Sequence, residues 1–318
     1  MRLLTFLIFI LTSQLSLTTA YAAVNKPATS QNAFIYTKPN LKKIANTPIK
    51  PSASLSGDSL VFDLPITYND KVKYWINYFQ TIGKKSFSTW LERSQRYVPK
   101  IQGIFKEKGL PSDLAYLAMI ESGFSPFANS AAQAVGYWQF IAPTAERYGL
   151  KVSWWLDERR DIHKSTYAAA KYLTDMNKVF NNWYLSAAGY NTGEARIQRL
   201  IKRHNSKSFW DISESLVQET KDYVPKLIAA ILIAKAPSLY GFRDLKYKDP
   251  IQYEYFWAPG GTSIRELAKN LKYSEKELKY MNPELIKGFI PDQVTGHKIR
   301  IPKGSLAKVA AYFKNRYQ

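Results

Sequence analysis

Between residues 72 and 118 the apolar side chains recur three and four positions apart, a spacing that a helix turns into one dry face. Val72, Trp75, Ile76 and Phe79 form one stripe, Phe87, Trp90 and Leu91 a second, and Val98, Ile101, Ile104 and Phe105 a third. Gly109 and Pro111 interrupt the pattern, and the next helix carries Leu114, Leu117 and Ala118 at i, i+3 and i+4. Its i+7 position is Glu121, an ionisable group on an apolar stripe. Further helices are predicted over 143–148, 165–180, 193–203 and 221–235. Residues 66–248 therefore read as one mainly α domain of ordinary size.

The two ends of the chain differ from this middle. Residues 1–22 carry Arg2, an apolar run over 3–11 and an A-x-A pattern at Ala20 and Ala22, which predicts a signal peptide. That run is too short for a membrane helix, and no later segment has about 18 continuous apolar residues. Residues 23–65, rich in Pro, Ser, Thr, Asn and Lys, read as a mobile linker. Near residue 249 the period changes to two: Ile251, Tyr253, Tyr255 and Trp257 alternate as in a strand, Gly260 and Gly261 turn the chain, two short helical patterns follow, and Ile299 and Ile301 alternate again. Residues 249–303 thus read as a small βααβ module, with 304–318 as a basic tail.

With 45 Lys and Arg against 25 Asp and Glu, the formal charge is +20. In an exported protein this suits an acidic envelope polymer or simple solubility; no basic block interleaved with aromatics points to nucleic acid. No cysteine is present, so neither a disulfide nor a cysteine-linked lipid anchor is available. His163, His204 and His297 lack ligand spacing, so no metal is expected. The expectation is an exported, soluble protein, periplasmic or secreted, monomeric and without a stable membrane anchor.

Glu121 concentrates the chemical interest. A carboxyl on an apolar stripe is desolvated, which raises its pKa, and Gly123 as a helix-terminating residue places it in the last turn, where the helix dipole disfavours an anion. Such a group is either a buried partner of an arginine or of backbone amides, or a general acid kept neutral beside an opening. The segment after it, SGFSPFANSAAQAVGYWQFIAPTAERYGL, is long, irregular and dense in polar and aromatic residues, a composition that accompanies function.

Together with WYLSAAGYNTGEARI and ETKDYVPKLIAA, these motifs resemble, over residues 71–236, the lytic transglycosylases with a goose-type lysozyme-like (SLT) catalytic domain, the membrane-bound lytic murein transglycosylase D group in particular. The family's Glu-Ser pair matches Glu121 and Ser122. Its Gly-Leu-Trp-Gln-Phe appears as Gly136-Tyr137-Trp138-Gln139-Phe140, its Ala-Tyr-Asn-Ala-Gly as Gly189-Tyr190-Asn191-Thr192-Gly193, and its Glu-Thr-x-x-Tyr-Val as Glu219, Thr220, Tyr223 and Val224. The resemblance implies a lysozyme-like helical fold and cleavage of the β-1,4 bond between N-acetylmuramic acid and N-acetylglucosamine in peptidoglycan glycan strands. It also implies a 1,6-anhydro product, Glu121 as the single acid and base, and no cofactor.

By the same resemblance Ser130 and Gln139 hydrogen-bond the substrate, Tyr190 orients the saccharide or the Glu121 carboxyl, Asn191 braces the site, and Glu219 and Tyr223 stand near the cleft. Trp138 reads as core, and the mixed-sign run 157–161 as a structural ion-pair cluster. Two departures, Gln133 in place of a usual glycine and Tyr137 in place of an aliphatic residue, suggest an altered saccharide subsite and a preference for modified, for example deacetylated, glycan. The C-terminal module resembles a degenerate LysM peptidoglycan-binding module, which either binds glycan or caps the helical domain. The alternatives are a hydrolytic muramidase of the same fold, with Glu219 or another carboxylate activating water, and a non-catalytic wall-binding protein.

Overall fold

The computed structural model describes residues 61–316. The signal peptide and nearly all of the linker expected from the sequence lie outside the described residues. The described chain is mainly helical, with one two-stranded sheet near its C-terminal end.

Helix α1 (Asp70–Gln80) starts where Asn69 accepts a hydrogen bond from the amide of Val72, and it buries Val72, Ile76 and Phe79. The stripes predicted over 87–91 and 98–105 belong to one 24-residue helix, α2 (Lys84–Glu107), which continues through Pro99. A short 3-10 turn (Ser112–Ala115) leads into α3 (Tyr116–Ser122), whose interior-facing residues 116–120 are buried. After the irregular segment 123–141 come α4 (Ala142–Arg147), α5 (Ile162–Phe180), α6 (Trp183–Thr192), α7 (Glu194–His204), α8 (Phe209–Ile212) and α9 (Gln218–Lys235). Helix α9 is the central member of the bundle: from Val224 to Ile233 nearly every side chain is buried, and it packs against α1, α3 and α6. A helix apolar all round belongs inside, which is why its pattern shows little amphipathicity.

One core joins these helices, and it begins earlier than the sequence suggested. Phe62 and Leu64, in the stretch read as linker, are buried in it, and the Asp63 carboxylate accepts from the amides of Ser112 and Asp113.

A second core lies under the sheet. Strands β1 (Tyr253–Pro259) and β2 (Gly296–Pro302) are antiparallel, with Phe256 opposite Ile299. Helices α10 (Ile264–Leu271) and α11 (Glu275–Met281) lie between them in sequence, giving the expected βααβ order. The alternation expected at 251, 253, 255 and 257 does not mark the core face. Phe256 and Ala258 face the core with Ile299 and Ile301, whereas Tyr255 and Trp257 are exposed, Trp257 at 62%. The period was legible but its phase was not, because both faces of this strand carry aromatics. The stretch read as a basic tail is also different: it forms helix α12 (Leu306–Arg316), which buries Val309 and Phe313, the latter stacked on Phe256 at 5.2 Å.

The second core is fastened to the helices by buried polar groups. Arg300 of β2, 4% exposed, donates to Glu284 at 2.8 Å and to the Met281 carbonyl at 3.2 Å, and pairs with Asp161, the N-cap of α5. The amide of Asp157 donates to the Glu284 carbonyl at 2.8 Å, that of Ile286 to the Trp155 carbonyl at 3.0 Å, and the Tyr97 and Tyr280 hydroxyls meet at 2.9 Å.

Candidate active site

Helix α3 ends as its sequence requires. Gly123 takes the left-handed conformation (φ 57°), its amide donates to the Met119 carbonyl at 2.9 Å, and a Cβ there would collide with the Trp90 ring. Glu121 therefore stands, half-buried like Ser122, in the final turn of a short helix whose residues 116–120 are buried.

The Glu121 carboxyl lines an open cleft of about 440 Å³. Burial pushes its pKa up to about 7, against the opposing effects of the Tyr223 hydroxyl and the Lys226 ammonium; Glu219 adds to the rise. Tyr223, on α9, donates to Glu121 Oε1 at 2.5 Å, and burial raises its own pKa well above the phenol range. Lys226, one turn further along α9, sits over the Trp75 ring and donates to the Ile120 carbonyl at 3.4 Å, and burial holds its pKa below the usual lysine value. The carboxyl at the cleft floor is thus positioned by a phenol and shadowed by a cation, and it holds its proton near neutrality.

Around it the residues expected from the sequence fall into three groups. Ser130, Gln139, Tyr190, Asn191 and Glu219 line the same cleft as Glu121, together with Phe140, Thr144, Tyr172 and Thr192. Tyr190 is held by its hydroxyl, which donates to the Trp138 carbonyl at 2.7 Å, and by contact with the Tyr172 ring at 5.0 Å. Asn191 ties α6 to α9: its amide donates to Glu219 at 3.2 Å and its carbonyl accepts from Thr220 at 2.7 Å. Ser122 and Tyr223 support the catalytic candidate from behind. The Ser122 hydroxyl donates to the Tyr137 carbonyl at 2.8 Å and accepts from the Ser125 amide at 3.3 Å, locking the turn after Glu121.

Gln133 and Tyr137, expected beside the saccharide, do not line the cleft. Gln133 is exposed on the loop, at φ 59°, with its carbonyl accepting from Arg159 at 3.1 Å. That left-handed backbone explains why glycine suits this position. Tyr137 is 3% exposed, packs on Tyr97 at 5.1 Å and lines a separate small cavity where α2 meets the sheet module. Trp138 is fully buried, as read from the sequence, with Nε1 donating to Thr166 at 3.1 Å.

The irregular segment owes its shape to Arg159. The guanidinium, nearly buried, pairs with Asp157 at 2.8 Å and donates to the carbonyls of Gln133 and Phe140 at 3.1 and 3.0 Å. Five left-handed residues, Gly123, Phe124, Gln133, Gly136 and Gln139, let the loop fold back over it. Gly136 is required twice, for φ 81° and because a Cβ would strike the Arg159 carbonyl. The cluster 157–161 is structural as expected, but it also supports the site. Two further residues escaped the sequence reading: Tyr172, and Lys226, whose i+3 spacing from Tyr223 was the available signal. Among the described residues no group of three or more His, Cys, Asp or Glu is placed to hold a metal ion, and no helix is long and apolar enough to cross a membrane.

Parts of this chain are similar to known proteins. Residues 101–213 match the family described as Transglycosylase SLT domain, a region containing Glu121, Gln139 and Tyr190 but ending before Glu219 and Tyr223. Over 156 residues the chain is 42% identical to membrane-bound lytic murein transglycosylase D of Escherichia coli K12, covering 48% of this chain and 34% of that protein. It is 33% identical over 123 residues to a putative tributyltin chloride resistance protein of Alteromonas sp. strain M-1, covering 38% and 59%. Among solved structures, the 70 kDa soluble lytic transglycosylase of Escherichia coli aligns with a TM-score of 0.38 at 20% identity, over 46% of this chain and 26% of that one. Residues 101–213 thus match an SLT transglycosylase domain, the chain is homologous over 156 residues to the murein transglycosylase, and it covers about a third of that relative's length.

Proposed function

We propose that this protein is a peptidoglycan lytic transglycosylase that cleaves the β-1,4 bond between N-acetylmuramic acid and N-acetylglucosamine, with Glu121 as its single acid and base. The observation that carries the reading is the state of Glu121: a proton-holding carboxyl at the floor of an open cleft, with its pKa near 7 and a phenol on one oxygen. The domain match and the murein transglycosylase homology support the substrate class.

In this reading Glu121 donates its proton to the glycosidic oxygen as the C1–O bond breaks, and the N-acetylglucosamine side leaves as an alcohol. The resulting carboxylate then takes the proton of the muramoyl C6 hydroxyl while that oxygen bonds to C1. The ring closes as a 1,6-anhydro sugar, Glu121 is protonated again, and no water is consumed. The intramolecular nucleophile has a high effective concentration. Tyr223 and Lys226 favour the ionised intermediate state of Glu121, while burial favours the protonated resting state, so the carboxyl is poised for both proton transfers. Ser130, Gln139, Tyr190 and Asn191 supply cleft walls and polar contacts for the sugar chain.

One observation keeps a second reading alive: Glu219 lines the same cleft, as the water-activating carboxylate of a muramidase would. Its engagement by Asn191 favours a bracing role. Mass spectrometry of muropeptides released from purified sacculi separates the two. Anhydro products, lighter by one water than reducing-end products, support the transglycosylase; reducing-end products make the protein a hydrolase. Glu121→Gln is expected to lower the rate by a factor of about 10² to 10⁴. Wild type and Glu121→Gln both releasing no muropeptides would leave a wall-binding protein with no role for this carboxyl, and equal release by both would move the acid to another residue. The preference for deacetylated glycan was expected from Gln133 and Tyr137, neither of which lines the cleft, and equal rates on acetylated and deacetylated sacculi would remove it.

A further inference from the structure

Helix α7 carries Arg196, Arg199 and Arg203, whose i, i+3 and i+7 spacing puts three guanidinium groups on one face. Like charges so placed repel each other. The carboxylates close by in sequence are engaged elsewhere: Glu194 accepts from Gln198 at 2.8 Å, Asp211 from Ser206 at 2.6 Å, and Glu214 is paired with Lys71 and Lys221. Among the described residues none of the three arginines forms a salt bridge, and the one internal bond is from Arg199 Nε to the Ala195 carbonyl at 3.3 Å. They line a hollow of about 330 Å³ closed by Leu200 and Ser215.

The position of the hollow indicates its use. Thr192 and Gly193, just before α7, and Glu219, four residues after Ser215, line the active-site cleft. The chain segments on both sides of the hollow therefore continue within a few residues into the cleft wall. Along α7, Arg196 lies about 5 Å and Arg203 about 15 Å from Gly193, at 1.5 Å per residue. An extended peptide of four residues spans about 14 Å. A short peptide branch from a sugar held in the cleft can thus lie along this arginine face.

We propose that Arg196, Arg199 and Arg203 form a subsite for carboxylate-bearing peptide branches on the glycan strand. Guanidinium forks bind carboxylates in pairs of parallel hydrogen bonds, which suits an acidic peptide better than a neutral sugar. The assignment rests on the proposed activity for its substrate, but its main test does not require turnover.

That test is calorimetric titration of the full chain with a free acidic tetrapeptide of the wall type, beside an Arg199→Gln/Arg203→Gln variant and an inorganic phosphate control. Both arginines are exposed, so the variant retains the fold. Expected are salt-sensitive peptide binding and a loss of about fivefold or more in the variant, the scale of two exposed charge contacts. No peptide binding, unchanged affinity in the variant, or binding of phosphate but not peptide would each overturn the subsite. A parallel assay compares KM on strands with and without their peptides: the KM ratio shifts against peptide-bearing strands in the variant if the subsite operates during turnover. Should wild type release no fragment from either strand, the proposed activity fails, and the titration still decides the subsite.

Discussion

The proton on Glu121 sets a testable pH profile. Because burial holds its pKa near 7, the acid form is available below that pH and is lost as pH rises through it. The basic limb of the rate profile is expected near pH 7, far above that of an exposed carboxyl. The Tyr223 hydroxyl stabilises the ionised form, so Tyr223→Phe moves that limb to higher pH while lowering the rate, and a pH–rate series on both proteins checks the direction. What was legible in the sequence is the desolvation of Glu121: a carboxyl at i+7 of an apolar stripe, followed by a helix-ending glycine, is drawn out of water whether it serves as an ion-pair partner or as an acid, and the neighbouring motifs tipped the choice. Tyr137 was not legible in the same way. In a loop without periodicity, standing two positions from Gln139 says nothing about which side of the chain a ring faces, and Tyr137 faces the opposite cavity.

At the scale of elements, the loop over 123–141 is held by a cation instead of by strands. Arg159 reaches the carbonyls of Gln133 and Phe140 from beneath, and neither contact leaves a trace in side-chain pattern, which is why the sequence showed the ion-pair cluster without its load. Arg159→Met takes the nearest cation from buried Asp157, leaving it Arg160 at 3.9 Å, and removes the side-chain donor from the Gln133 and Phe140 carbonyls, so it is expected to reduce stability by about 3–5 kcal/mol in urea unfolding. Gln133 carries an L side chain in the left-handed region, so Gln133→Gly is expected to raise stability by about 1 kcal/mol, with cleft contacts unchanged. The helices themselves were legible wherever one face was wet. Helix α9 was expected over 221–235 even though it is buried all round, but α6, also largely buried, and the join of two stripes through Pro99 into α2 were not, since neither leaves a clean amphipathic period.

Over the whole described molecule, the sheet module is docked by charge as well as by apolar contact. Arg300 lies between Glu284 and Asp161, nearly out of reach of water, and removing one member of such a group typically costs about 3–5 kcal/mol. Arg300→Met is therefore expected to lower the melting temperature. Calorimetry of wild type should show one transition for helices and module together, and two separate transitions would contradict the docking described above.

The placement of that docking has a consequence for inheritance. Asp161, which takes Arg300, and Arg159, which shapes the loop over the cleft, are two residues apart on one short stretch of chain. A lineage that shuffled this C-terminal piece as an interchangeable cassette would leave the buried Asp161 carboxylate without its guanidinium, held only by the amides of His163 and Lys164, right beside the anchor of the active-site loop. An exchange of the terminal module therefore disturbs the support of the active-site loop unless both parts change together.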